Sequence, residues 1–221
     1  MKKINSIIFD MDMTLIDSFD SFSIFLNSIG SKYYNKTFPK ALFRQLWGEP
    51  HREFVTKIFD GVDNYENVKV HIENTLKNKP LIQSAIPNAT KVIKELYGKY
   101  NIGILTSSPS IDAKERLKNA GFNIDHFEII ICSDNTKFKK PDPRVFDTLN
   151  SWLTTKNIVR DNVLYIGDAI VDFKAAQGAK ICFIGVTTGF DTKRKFISEG
   201  LKSEYLVSSL SDVFTAISNL N

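Results

Sequence analysis

The stretch Ile4-Asn5-Ser6-Ile7-Ile8-Phe9-Asp10-Met11-Asp12-Met13-Thr14 decides how this chain folds. A short, β-branched apolar run stops abruptly in two carboxylates, the pattern of a buried strand that reaches a polar edge. Comparable runs recur at Ile102–Leu105, Phe127–Cys132, Val163–Ile166 and Ile181–Val186, and more weakly at Tyr205–Val207. Segments of helical period separate them. Over 88–100, Val92, Ile93, Leu96, Tyr97 and Tyr100 share one face and Asn88 can serve as N-cap. Ser110–Ala120 reads as a helix closed by Gly121. Ser209-x-x-Asp212 opens a last helix striped by Leu210, Val213, Phe214, Ile217 and Leu220. Strand alternating with helix from about residue 86 predicts an α/β fold with a doubly wound parallel sheet.

Residues 16–85 break that rhythm. No strand signal appears there, and Phe19, Phe22, Leu26 and Ile29 recur at helical spacing. Gly30, Gly48-Glu49-Pro50 and Gly61 read as its breaks, and Phe19, Phe22 and Phe25 as its core. The expected organisation is a sheet domain of 1–15 and 86–221, holding the catalytic site, with 16–85 inserted as a helical cap domain. Such an insertion can fold over the carboxyl edge of the sheet, where open α/β folds bind ligands, and close over a bound substrate.

Composition narrows the function classes. The 221 residues are 43% hydrophobic and 24% charged, which is globular rather than disordered or fibrous. With 29 Lys and Arg against 25 Asp and Glu, the net charge of +4 is too small, and too scattered, for a nucleic-acid footprint. Cys132 and Cys182 lie in separate apolar runs without metal-ligand spacing, so both read as buried strand thiols. Met1-Lys2-Lys3 resembles the start of an export signal, but Asp10 and Asp12 interrupt the apolar run that follows. No run of eighteen apolar residues could span a bilayer. The expectation is a soluble, cytoplasmic monomer or weak homodimer that engages neither nucleic acid nor membrane.

Four motifs carry chemistry. Asp10 and Asp12, two residues apart on an extended chain, face the same side, and their repulsion calls for a cation. The same pair also suits the cap of a following helix. Thr106-Ser107-Ser108-Pro109-Ser110 places hydroxyls between a strand and a helix N-terminus, which suits a phosphate and equally an ordinary capped turn. Lys140 precedes the rigid Pro141-Asp142-Pro143, where it is either a held cation or a solvated loop lysine. Asp168 ends the strand at Val163–Ile166, and Asp172 lies one helical turn on; an N-cap plus a surface acid would look the same. Each motif sits where a parallel strand ends, so all four converge on one sheet edge. Carboxylates, a lysine and hydroxyls together suit a phosphate handled with Mg2+.

In this order and spacing, Asp10-x-Asp12-x-Thr14, Thr106-Ser107, Lys140-Pro141 and Gly167-Asp168-x-x-x-Asp172 resemble the haloacid dehalogenase superfamily, within it the phosphoglycolate phosphatase and β-phosphoglucomutase group. Gly185-Val186-Thr187-Thr188-Gly189-Phe190 is similar to the stretch that follows the last motif in that group. The resemblance implies a Rossmann-like core with a helical cap. It implies Asp10 as nucleophile, Asp12 as general acid/base, and Lys140 beside them. Thr14, Thr106, Ser107 and Lys140 are then the phosphate-binding candidates, and Asp10, Asp12, Asp168 and Asp172 the Mg2+ site. Met13, Ser107 and Ala169 stand where glycine, asparagine and a polar residue are usual.

The expected function is a magnesium-dependent phosphatase acting on a small phosphorylated metabolite through an aspartyl-phosphate. The alternatives are a phosphomutase of the β-phosphoglucomutase type and a non-catalytic phosphate-binding regulator. Arg44, His51 and Arg52 of the insertion are candidate substrate contacts, since an Arg can bind a second anionic group bidentately; they also read as surface residues of a helix. His71 and His126 carry no constellation.

Overall fold

The computed structural model describes residues 3–49, 51–78 and 81–220; Pro50, read above as part of a break, and Met1-Lys2 lie outside them. The chain divides into two compact units, 1–17 with 84–221, and 18–83.

The first unit is built on six parallel strands: β1 (Ser6–Phe9), β4 (Asn101–Leu105), β5 (Ile129–Ile131), β6 (Val163–Gly167), β7 (Cys182–Val186) and β8 (Leu206–Val207). They lie in the order β5-β4-β1-β6-β7-β8. From central β1 the chain first winds through β4 to β5, then crosses to β6 and winds outward to β8. The winding therefore reverses at β1, and the carboxyl ends of β1, β4 and β6 flank the place where doubly wound folds bind ligands.

Side chains alternate across the sheet with a period of two. Ile7 and Phe9 join Ile102, Ile104, Leu164 and Ile166 on one face, covered by α5 (Ala89–Leu96), α6 (Ser110–Asn119) and α10 (Val213–Leu220). Ile8 joins Leu105, Val163, Tyr165 and Phe183 on the other, covered by α7 (Asp147–Thr155), α8 (Ile170–Gly178) and α9 (Lys193–Ser198). Both faces of β1 are buried, which is why its sequence is an unbroken apolar run.

Two short elements escape the sequence reading. Ile16–Asp17 (β2) and Ser84–Ala85 (β3) pair antiparallel, Ile16 opposite Ala85. Two residues are too few for a periodic signal, so the second unit begins at 18 and ends at 83 rather than at 16 and 85. The helix expected over 88–100 stops at Leu96. Asn88 has φ +67° and makes no capping bond, and the N–H groups of Lys99 and Tyr100 both turn back to the Leu96 carbonyl. The last helix starts as a 3-10 turn, Leu210–Asp212, in which the Ser209 side chain accepts from Ser211 N. Cys132 is buried just past β5, whereas Cys182 is only half-buried.

The regular elements among the described residues of the second unit are all helices: α1 (Phe19–Tyr34), α2 (Lys40–Leu46), α3 (His51–Ile58) and α4 (Tyr65–Asn78). Phe19, Phe25, Leu26, Ile29, Phe43, Phe54 and Val68 form its core, and half-buried Phe22 packs on Phe25, His51 and Phe54. Gly30 is not a break. It lies within α1, where a Cβ would fall 2.7 Å from the Lys36 carbonyl oxygen and 2.8 Å from the Phe38 ring. The glycine lets the returning chain press against the helix.

Candidate active site

Strand ends deliver the site. Asp10 N–H donates to the Ile166 carbonyl (2.8 Å), which carries the β1–β6 pairing one residue further and fixes the direction in which the Asp10 side chain leaves the sheet. Asp168 follows directly on β6. Asp172 stands in the first turn of α8, where its Oδ2 accepts from Ala169 N–H (3.1 Å), the favourable place for an acid on a helix. Asp10, Asp168 and Asp172 are all buried, and each has a carboxylate oxygen within 4.8 Å of the others.

Lys140, on the segment between β5 and α7, completes the group. Its Nζ donates to Asp10 Oδ1 (2.7 Å), Asp172 Oδ1 (2.6 Å) and Tyr165 Oη (3.2 Å). Tyr165 Oη also lies 2.8 Å from Asp172 Oδ1 and 3.2 Å from the Leu105 carbonyl, so it ties the lysine and the acid to β4. Thr14 Oγ1 donates to Asp168 Oδ1 (2.9 Å). The solvated-loop alternative for Lys140 is excluded by its side chain, which is 7% exposed.

Charge is not balanced here. Burial, joined by the Asp172 and Asp12 charges, pushes the Asp10 carboxyl up to about 7 despite Lys140. Burial, then Asp10 and Asp172, also holds Asp168 well above the usual carboxylate range. For Lys140, burial opposes the charge, but Asp10 and Asp172 outweigh it and keep the ammonium firmly protonated. Three clustered carboxylates against one ammonium leave a deficit of positive charge. Hard oxygen donors, deeply buried and short of one cation, fit Mg2+.

Asp12 lies outside that trio. Ser108 Oγ donates to Asp12 Oδ2 (2.7 Å), and Arg116 Nη2 of α6 donates to Asp12 Oδ1. Arg116 Nη1 donates in turn to Ser108 Oγ (2.9 Å). The carboxylate of Asp12 is thus gripped by a guanidinium and a hydroxyl rather than grouped with the candidate metal ligands. Thr106 is buried beside β4, its Oγ1 accepting from Ser108 N–H (3.1 Å), while Ser107 is exposed.

The segment after β7 braces both acidic loops. Thr188 Oγ1 donates to the Met13 carbonyl (2.6 Å), and Met13 N–H donates to Ile16 O (2.7 Å). These bonds hold Met13 at φ +60°, a left-handed conformation that costs a side-chain-bearing residue about 1–2 kcal/mol. A Cβ on Gly189 would fall 1.8 Å from Asp168 Oδ2, so only glycine leaves that carboxylate its place. Asp191 Oδ2 accepts from Ile170 N–H (2.6 Å) and caps α8.

In the helical unit, Arg44 is exposed on α2 and His51 half-buried at the start of α3. Arg52 pairs with Glu66 (2.9 Å) and lies over the Tyr65 ring. His71 stacks on Tyr33 and His126 on Tyr97. Sequence reading missed Tyr165, Arg116 and Asp191, and it took Ser108 as part of a hydroxyl turn rather than as a partner of Asp12. A tyrosine inside an apolar strand needs a partner for its hydroxyl, which was a signal for Tyr165. Arg116 lies two helical turns beyond Ser108, a spacing that puts both on one side of the helix entry.

The family model for haloacid dehalogenase-like hydrolases matches residues 7–186. The chain belongs to that family. Among curated relatives, it is 23% identical to pyrophosphatase PpaX of Bacillus mycoides over 221 residues, 99% of each chain. It is 25% identical to pyrimidine 5'-nucleotidase YjjG of Escherichia coli, over 94% of this chain and 95% of that one. A phosphoglycolate phosphatase of Colwellia psychrerythraea is 23% identical over 84% and 85%. In fold, it superposes on a haloacid dehalogenase-like family hydrolase of Streptococcus pneumoniae with a TM-score of 0.78 and 21% identity, covering 97% and 99%. Among the described residues no helix is long and apolar enough to cross a membrane.

Proposed function

We propose that this family member is a magnesium-dependent phosphatase that hydrolyses a small phosphorylated metabolite through an aspartyl-phosphate. The observation that carries the reading is the meeting of Asp10, Asp168 and Asp172 around Lys140, three carboxylates against one ammonium. The relatives' names, which speak of phosphoglycolate, a pyrimidine nucleotide and pyrophosphate, support a phosphate-bearing substrate without choosing one. Residues 18–83 serve as the cap, and Arg44, His51 and Arg52 are its candidate substrate contacts.

In this reading an oxygen of Asp10 attacks phosphorus, and the bond from phosphorus to the ester oxygen breaks while Asp12 gives that oxygen a proton. Asp12, now a base, takes a proton from water, which attacks the acyl phosphate, frees inorganic phosphate and restores Asp10. Lys140 and Thr106 hold phosphoryl oxygens, with Ser107 next to Thr106 in sequence and Thr14 bonded to Asp168 as further candidates. Asp10, Asp168 and Asp172 would hold Mg2+, which when bound supplies the positive charge that lets an anionic nucleophile meet an anionic substrate.

Phosphate release from a panel of sugar phosphates, phosphoglycolate, nucleoside monophosphates and pyrophosphate, with Mg2+ and with a chelator, tests the reading. It requires release from at least one compound, lost with the chelator. An isomeric sugar phosphate in place of free phosphate identifies a mutase, and silence across the panel from folded, Mg2+-loaded protein a non-catalytic binder.

A further inference from the structure

Beyond the acidic trio and the Lys140 side chain that pairs with it, the sheet unit buries one other charged residue among its described residues. Arg116 is 9% exposed, in a molecule whose remaining arginines and most of whose lysines lie at or near the surface. Taking a guanidinium out of water is costly unless its donors are used. Arg116 uses two of them on one small constellation. Nη2 donates to Asp12 Oδ1 and Nη1 to Ser108 Oγ (2.9 Å), and Ser108 Oγ donates to Asp12 Oδ2 (2.7 Å). Because Ser108 accepts from the guanidinium, its own proton is directed at Asp12. The three side chains close a ring in which both oxygens of Asp12 are engaged.

Three separate pieces of chain meet in that ring. Asp12 belongs to the loop after β1, Ser108 to the turn after β4, and Arg116 to the second half of α6. Thr106 Oγ1 holds the Ser108 N–H (3.1 Å), which anchors the turn to the buried end of β4. An unsupported aspartate has three staggered χ1 wells; a fork and a hydroxyl on its two oxygens leave one. Asp12 is still 25% exposed at its side chain, so its carboxylate is held while accessible.

We infer that Arg116, acting with Ser108, is a positioning residue that sets the orientation of the Asp12 carboxylate for proton transfer. This rests on the assignment of Asp12 as general acid/base under Proposed function. It adds a residue outside the acidic trio and outside the phosphate-binding candidates, one whose bonds to Asp12 and Ser108 give it a hold on the acid/base. An acid/base displaced by about 1 Å can lose about 100-fold in rate. Arg116→Gln, which keeps polarity but not the fork, therefore lowers kcat by about 10- to 100-fold while leaving KM and the Mg2+ dependence unchanged.

The test is a double-mutant cycle in single-turnover kinetics on the best substrate of the panel, with Arg116→Gln, Asp12→Ala and the pair. Arg116→Gln slows the enzyme that retains Asp12 and adds nothing to Asp12→Ala, and Arg116→Lys or added guanidinium restores part of the rate. Ser108→Ala, a change in a half-buried turn, shows the same dependence on Asp12 and replaces Arg116→Gln should that variant fail to fold by thermal melting. An equal loss from Arg116→Gln with and without Asp12, or no loss at all, overturns the inference while Asp12→Ala remains slow. Full activity in Asp12→Ala instead removes the acid/base assignment itself, and the inference with it.

Discussion

Replacing Asp10 by Asn takes one ionisable carboxyl out of a buried site that holds two others, and it changes how stability depends on pH. Unfolded, the carboxyl titrates near its ordinary 3.8; folded, burial first and then the Asp172 and Asp12 charges lift it to about 7. Between those values the folded chain keeps a proton that the unfolded chain has released. The stability this contributes is complete below about pH 4, falls as pH rises, and is gone above about pH 7. At about 1.4 kcal/mol per tenfold change, the interval is worth about 4 kcal/mol, or about 8–16 °C in Tm for a chain of this size. Asn carries no such proton. The attraction to Lys140 acts only where Asp10 is ionised and is already contained in that raised value, so it adds no separate pH dependence. The unfolding free energy of Asp10→Asn minus that of the parent therefore climbs by up to about 4 kcal/mol between about pH 4 and pH 8. Urea denaturation of both proteins in chelator, at half-unit pH steps, reads this directly. A difference that stays flat with pH refutes the claim that Asp10 is held against its charge. Mg2+ added at the alkaline end should recover stability in the parent and far less in the variant.

Three further outcomes follow from the same geometry. Gly189→Ala puts a Cβ where Asp168 Oδ2 now lies, 1.8 Å away, and should weaken Mg2+ by about 10- to 100-fold without unfolding the protein; titration of the Mg2+ dependence checks it, and unchanged affinity contradicts it. Lys140→Met leaves Asp10 and Asp172 without their cation and should cost about 3–5 kcal/mol of stability. The same change should lower kcat by about 100- to 1,000-fold, measured on the responsive substrate; a stable, active variant would mean the lysine is dispensable.

The sheet was legible because its inner strands β1, β4, β6 and β7 bury both faces. Ile7, Ile8 and Phe9 need no alternation, and such a run can end only where Asp10 meets a polar edge. The same logic located Asp168 and the turn at Thr106. What escaped were features fixed by tertiary contact. β2 and β3 exist because their two residues each pair across the chain, not because two residues have a pattern. Gly30 looked like a helix break and is instead a contact point inside α1, a distinction that depends on where Phe38 returns. Asp12 appeared to join Asp10 because both follow one strand; the buried guanidinium that draws it elsewhere comes from a helix a hundred residues on, where Arg116 has the sequence context of a surface arginine.

The nucleophile itself gives the most direct test. Asp12→Ala protein mixed with the responsive substrate and Mg2+, quenched in acid within one turnover and mapped by peptide mass, should carry a single phosphoryl group on the peptide that contains Asp10. Turnover that proceeds with no phosphorylated peptide, or with the group on any other side chain, would contradict the account.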